Sequence, residues 1–550
     1  MKIRKHQLAL AISTTLITTV CGAQEAIELD ALDGNNGLLI RAFGDNDRSG
    51  FSVSGAGDIN GDGLDDVVIG APLGSASGSN AGDIHVVFGS SMGLPSPLEL
   101  SNLTGLNGFT ISGIDSFDLA GLTASGAGDF NNDGIDDLII GTDGATPSCS
   151  KNDTKGGVKP KGEPEPGMQG VTYVVFGAAG EFPARLDLAS DLDGETGFAI
   201  NGIDLNDRAG QSVSNAGDVN GDGVSDVIIG APRADAAAPM SGEAYVLFGS
   251  ATAPGPCFEL ADLDGSNGFV IRGENEFDYA GMEVSAAGDI NGDGMDDVAI
   301  GSRGNPFGRQ DAGVTYVVFG SSSMTSASIN LATLNGTNGF RILGARPQDQ
   351  SGDSVSAAGD VNGDGIDDLI IGAPEADPAI GAYSAGVSYV VFGSNESFQA
   401  NVELGDLDGL NGFALNGVLG GDRLGRSVSG AGDVNGDGFD DVIIGAPEAR
   451  VGDLFDRALA GKSYLVFGAG GGFDASINLA DLNGDNGIAL NGISQNDNSG
   501  ASVSGAGDLN NDGMTDLIIG APLAMSGGES YVVYGQERFI SDLLFADGFE

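Results

Sequence analysis

Seven times along this chain an aspartate opens the pattern Asp-x-Asn-x-Asp-Gly, at Asp58, Asp129, Asp218, Asp289, Asp360, Asp433 and Asp508. Successive starts lie 71, 89, 71, 71, 73 and 75 residues apart. Spacing this regular decides the architecture before any local assignment, because each copy must be one structural unit packed against its neighbours. The one long interval holds an insertion, residues 143–169, rich in Lys, Pro and Gly.

Each unit reads as four strands. A segment such as Ser52–Asp58 (SVSGAGD) precedes the acidic pattern, and a continuous β-branched run such as Asp66–Pro72 (DVVIGAP) follows it. An unbroken apolar run of that length suits a strand buried on both faces. A third strand is read at Tyr173–Gly177, Tyr316–Gly320 and Tyr389–Gly393, and a fourth in segments such as Leu263–Gly273 and Leu407–Gly417. Strands bounded by glycine, without helical periodicity, predict an all-β chain. Four-stranded units repeated radially make a β-propeller, which leaves only short, protected sheet edges. The expected fold is therefore a seven-bladed propeller. A fourth-strand segment, Leu32–Ala42, precedes the first acidic turn, and none follows Tyr531–Gly535. The N-terminal segment is thus expected to supply the outer strand of the last blade and close the ring.

In Asp58–Asp66, side-chain oxygens fall at positions 1, 3, 5 and 9, and Gly63 at position 6 permits a sharp turn. Leu64 at position 7 offers only its carbonyl. Oxygen donors with several carboxylates and no His or Cys select a hard cation, calcium above all. Magnesium, which takes fewer protein ligands and keeps its waters, is the alternative. The start resembles an EF-hand loop, but position 12 is Ile69 rather than Glu, so position 9 must supply the missing acid. Position 8 is Ser225 in the third unit and Thr515 in the seventh, while position 9 is aspartate in all seven. The expected ligands are Asp58, Asn60, Asp62, Leu64 and Asp66 in the first unit, and Asp129, Asn131, Asp133, Ile135 and Asp137 in the second. The third offers Asp218, Asn220, Asp222, Val224 and Asp226, and the fourth Asp289, Asn291, Asp293, Met295 and Asp297. The fifth offers Asp360, Asn362, Asp364, Ile366 and Asp368, and the sixth Asp433, Asn435, Asp437, Phe439 and Asp441. The seventh offers Asp508, Asn510, Asp512, Met514 and Asp516. Up to seven Ca2+ ions are expected, one per blade, holding the blades in shape. Asp, Asn and Gly also build ordinary tight turns, but a turn needs one or two such residues, not four oxygen donors at fixed spacing.

The motifs GDINGDGLDDVVIGAP (Gly57–Pro72), GDVNGDGVSDVIIGAP (Gly217–Pro232) and GDVNGDGIDDLIIGAP (Gly359–Pro374) resemble the FG-GAP repeats of integrin alpha-chain propellers. The resemblance spans nearly the whole chain after its first residues. It implies seven blades, calcium in the hairpins between first and second strands, and ligands engaged on the opposite, upper face. Two units depart from the Gly-Ala-Pro ending: Gly141-Thr142-Asp143 and Gly301-Ser302-Arg303. The inserted metal-dependent adhesion domain, leg domains and membrane span of integrins have no counterpart in the sequence.

A formal charge of −55, from 78 acidic against 23 basic residues, argues against nucleic-acid and anionic-membrane partners. Residues 1–23 combine a basic start, an apolar stretch from Leu8 to Val20 and small residues at Gly22 and Ala23. They read as a secretory signal, so the protein is expected outside the cytoplasm: extracellular, at the cell surface or periplasmic. The propeller then occupies 24–536 and a tail 537–550. No later apolar run is long enough for a membrane helix. Whether Cys149 and Cys257 pair is left open by their spacing.

No catalytic constellation is read. His85 stands where sister units carry Tyr173, Tyr245, Tyr316 and Tyr389, so it reads as a strand residue rather than a base. GSSMG at Gly89–Gly93 matches G-x-S-x-G by chance, following a strand with no helix after it. Lys151, Lys155, Lys159 and Lys161 make the insertion a solvated loop or a cationic arm for an acidic partner. The expected function is a non-enzymatic adhesion module presenting upper-face loops to a protein or glycan. The alternative is a hydrolase or lyase acting on polysaccharide or lipid, with its site in the central funnel.

Overall fold

The computed structural model describes residues 26–42, 44–145, 168–252, 254–304, 310–323, 326–452, 457–537 and 539. Residues 1–23, read above as a secretory signal, most of the insertion with its lysines, and the end of the tail lie outside the described residues.

The second strand of each unit is the anchor. Asp66–Ala71 is buried at every position, as are its six counterparts. In the first blade it lies between the inner strand Ser52–Gly57 and the third strand Asp83–Val87, both antiparallel to it. The fourth strand, Gly108–Ser112, completes the antiparallel set. Every inner strand carries one bulge before its final glycine, at Ala56 in the first blade. A bulge adds local twist and re-aims the chain, here into the acidic turn. Seven such sheets are present, and together they form a seven-bladed β-propeller.

The expected closure is found. Gly37–Arg41 pairs antiparallel with Glu529–Val533, so the N-terminal segment is the fourth strand of the last blade.

The expectation of four strands per blade is corrected to five. Three residues of extended chain from the following unit run parallel to each fourth strand; Arg185–Asp187 does so beside Thr110–Ser112. In the last blade the added strand is two residues, Leu98–Glu99. In the sixth it is Ala26–Glu28, so the N-terminal segment closes two blades. A short 3-10 turn follows most of these strands, and its leading leucine (Leu100, Leu260 or Leu331, for example) is buried. Such triplets are too short for periodicity to reveal, and they form only when an adjacent blade offers an unpaired edge.

The apolar cores lie between blades. One cluster joins Val68, Ile84 and Phe109 of the first blade to Leu138, Ile140 and Tyr173 of the second. Phe182, from the second blade's outer connection, stacks on Phe109 with centroids 4.4 Å apart. Stability therefore resides in neighbouring pairs, and a ring has no unpaired end.

Candidate functional site

The acidic hairpins project from the end of the ring where inner strands finish and second strands begin. In the first, Asp58 Oδ1 accepts the Asp62 amide at 3.0 Å and Oδ2 accepts the Gly63 amide at 2.8 Å. Asp62 Oδ1 accepts the Leu64 amide at 3.0 Å. These bonds fold the turn on itself and recur in the other units. Asp62 is exposed, Asp58 half-buried, and Asn60 and Asp66 buried.

Asp66, expected only as a ligand, does a second job. Its Oδ2 accepts the Ile59 amide at 3.1 Å and its Oδ1 the Gly89 amide at 2.8 Å. It thereby clasps the hairpin to the end of the third strand, and every unit repeats the bond to the glycine of its Phe-Gly or Tyr-Gly pair. Burial pushes the Asp66 carboxyl up to about 8; the two amides oppose this, and Asp62 and Asp58 add to it. The equivalents Asp137, Asp226, Asp297, Asp368, Asp441 and Asp516 are likewise pushed up to about 8, burial leading in each.

The donor set fits a hard cation. Each turn gathers carboxylates that form no ion pair among the described residues. The Oδ1 atoms of Asn131 and Asn510, at position 3, are buried acceptors with no hydrogen-bond partner. A carboxylate has about four acceptor sites, so the amide bonds leave capacity on each aspartate. Among the described residues no three acidic, His or Cys side chains are gathered closely enough to grip an ion as they stand. Turning the outer side chains Asp58 and Asp62 is therefore part of any closure around one.

Position 8, rejected as a ligand, clamps the ring. Asp136 Oδ2 accepts the Asp58 amide of the preceding blade at 2.9 Å. Asp296, Asp367 and Asp440 do the same for Asp218, Asp289 and Asp360. Asp65 closes the circle on Asp508 at 2.7 Å. Where position 8 is Thr515, the strands still meet through its amide and the Asp433 carbonyl. The glycine before each turn makes room for this: a Cβ on Gly57, held at φ +70°, would lie 2.2 Å from Asp136 Oδ2. Gly63 is equally left-handed but has nothing within 4 Å. Gly57→Ala is accordingly expected to destabilise the protein by about 3 kcal/mol, and Gly63→Ala by only ~1 kcal/mol, in chemical denaturation. Equal losses would remove the clamp from the account.

A family profile of the FG-GAP repeat matches residues 49–87, 121–158, 209–247, 280–318, 351–391, 424–466 and 499–534. The chain belongs to the FG-GAP repeat family. It is 30% identical over 261 residues to integrin alpha pat-2 of Caenorhabditis elegans, covering 47% of this chain and 18% of that protein. It is 25% identical over 433 residues to phosphatidylinositol-glycan-specific phospholipase D of Homo sapiens, covering 76% of this chain and 45% of that protein. A third relative, integrin alpha-PS5 of Drosophila melanogaster, is 31% identical over 187 residues, 34% of this chain and 17% of that protein. The chain thus spans less than half the length of each.

On the opposite face, every FG-GAP unit carries a second aspartate that the sequence reading passed over. Asp47, Asp118, Asp207, Asp278, Asp349, Asp422 and Asp497 each stand eleven residues before an acidic turn, and all are buried. Asp118 Oδ2 accepts the Asp115 amide at 2.8 Å, and the same bond recurs at Asp278, Asp349, Asp422 and Asp497. The residue after each holds a positive φ, such as Arg48, Leu119, Arg208 and Arg423. The sevenfold recurrence of this aspartate was a legible signal. His85 sits inside a blade with Nδ1 3.0 Å from Thr110 Oγ1, and burial lowers its pKa to about 4, so the ring is neutral. Ser90 and Gly93 flank a turn, with no helix after it. Cys257 is disulfide-bonded, and the chain's other cysteines, Cys21 and Cys149, lie outside the described residues.

Proposed function

We propose that this chain is an exported FG-GAP propeller that uses calcium to brace its blades and serves as a non-enzymatic binding module, presenting the face opposite the hairpins to a protein or glycan. The observation carrying the calcium reading is the sevenfold hairpin of oxygen donors without a cationic partner, with two buried Asn Oδ1 atoms left unbonded. Each ion would be held by the side chains at positions 1, 3, 5 and 9 and the carbonyl at position 7. The integrin relatives support a binding role.

The position-9 aspartates make the reading testable by pH. Their folded-state pKa of about 8 stands above the ordinary 3.8, so their effect on stability is most favourable below pH 4 and is lost as pH rises through 8. Calcium favours the carboxylate and opposes that trend. Titrating calcium at pH 7 in buffers of different ionisation enthalpy is therefore expected to show proton release, approaching one per site filled. Calcium uptake without proton release would contradict the assigned role of position 9, and no uptake would end the calcium reading.

A hydrolase acting on lipid or polysaccharide is the second reading, favoured by the long alignment with the phospholipase D relative. Turnover that is abolished by substituting acids of the upper face, with melting unaltered, would establish it instead.

A further inference from the structure

The upper mouth of the ring opens into a cavity of about 760 Å³ lined by the starts of inner strands from all seven blades. In six blades the first inner-strand residue is Ser or Thr: Ser52, Thr123, Ser212, Ser354, Ser427 and Ser502. Most of these hydroxyls brace the ring, each accepting an amide of the next blade, as Ser52 does from Ala124 at 3.1 Å and Ser354 from Val428 at 3.1 Å. The fourth blade gives up that hydroxyl for Glu283. Both departures from Gly-Ala-Pro, Asp143 and Arg303, line the same cavity. These exceptions to the repeat converge on one cavity.

The funnel also concentrates arginine. Arg48, Arg208, Arg303, Arg423 and Arg426 line it, five of sixteen in a chain of net charge −55. Their pairing is lopsided. Arg303 and Arg426 both bond Asp353, whose side chain is 2% exposed while theirs are 38% and 49% exposed. Arg208 pairs with Asp143 at 3.3 Å, with exposures of 27% and 8%. Arg48 is exposed and has no acidic partner among the described residues. Arg423 pairs with Glu375 at 3.0 Å and with Glu448 at 2.8 Å, and Glu448 itself lines the funnel. Asp353 and Asp143, by contrast, lie buried in the wall, and a guanidinium using one or two of its five N–H donors keeps the rest for the lumen. Glu283, where burial pushes the carboxyl up to about 8, adds little negative charge at neutral pH.

We propose that the central funnel is a binding site for a small anionic ligand whose carboxylate, sulfate or phosphate groups are held by Arg48, Arg208, Arg303, Arg423 and Arg426. The cavity is of the size that encloses a ligand of a few hundred daltons. Phe51, Leu122 and Met282 provide apolar wall for its carbon skeleton. The proposal deepens the binding-module reading and rests on it, but not on calcium.

Calorimetry on the full calcium-loaded chain at low ionic strength would use tricarballylate, glucose 6-sulfate and glucose 6-phosphate, with glucose as the neutral control. At least one anion is expected to bind, with glucose silent and affinity falling as salt rises. The anion that binds identifies the oxyanion. Arg48→Gln, which unpairs no carboxylate, is expected to weaken binding about tenfold with unchanged melting. The Arg303→Gln, Arg426→Gln double variant is expected to abolish binding, with its melting temperature reported beside it because Asp353 loses its partners. Arg272→Gln, outside the funnel, is expected to bind as the parent does. Failure of all three anions to bind at 10-fold the highest concentration used for the controls, or binding indifferent to Arg48→Gln and to the double variant, overturns the proposal. Capture of a protein or glycan elsewhere on the ring, with the funnel silent to every anion, leaves the binding-module reading standing and removes this inference alone.

Discussion

Deleting residues 26–42 is expected to leave no folded monomer. The segment fills two places at once, the outermost strand of the sixth blade and the fourth strand of the seventh. It buries Leu29, Leu32, Leu38 and Ile40 against clusters contributed by the last blades and the first. Burial of four such side chains contributes about 8 kcal/mol at ~2 kcal/mol each, comparable with the ~5–15 kcal/mol net stability of a domain. The loss also uncovers the edge of Glu529–Val533, a fully buried strand, and an open apolar edge recruits other chains. Light scattering after size exclusion is expected to find aggregates, and scanning calorimetry no cooperative transition at the parent temperature. Moving the same residues to follow residue 536, through a linker as long as the Gly89–Leu98 connection of the first blade, is expected to restore the monomer, because the ring is indifferent to where the chain is cut. A deletion variant that stays monomeric and melts normally would show that closure is dispensable.

Calcium removal is expected to have the second large effect. Two carboxylates ~4 Å apart repel by up to ~4 kcal/mol at an effective dielectric near 20, so crowded turns without cations weigh against the fold. With a dissociation constant of ~0.1 mM, as in extracellular modules, millimolar calcium stabilises one site by ~1.4 kcal/mol. Seven independent sites reach about 10 kcal/mol, which at ~2 cal/mol/K per residue over about 500 residues is a shift of roughly 10 °C. Chelation is therefore expected to lower the melting temperature by about that amount, and added calcium to restore it. Asp62→Asn, altering the exposed acid of one turn, is expected to remove about one seventh of the shift. A melting temperature indifferent to chelator would defeat the proposed bracing role.

The hairpin donors were legible because they lie within nine residues of one another and recur seven times. Their second duties were not. Asp66 reaches Gly89 across a blade, and Asp65 reaches Asp508 across the ring junction, so local spacing says nothing about either partner. Position 8 looked expendable because Ser225 and Thr515 replace the acid there, which is true of a ligand but not of a clamp backed by strand contacts. The fifth strands escaped notice for a related reason: three extended residues have no period, and their pairing depends on a neighbour's edge.

Repetition alone determined the blade number, the all-β class, the circular closure and the place of the acidic turns, since each follows from a pattern carried within one unit and counted along the chain. What the units do to one another was decided only by the ring. Contacts between blades join residues some seventy positions apart or at opposite ends of the chain, and their geometry comes from packing seven twisted sheets about one axis. That packing turns Asp143, Glu283 and Arg303, scattered as isolated irregularities in the sequence, into the lining of a single cavity.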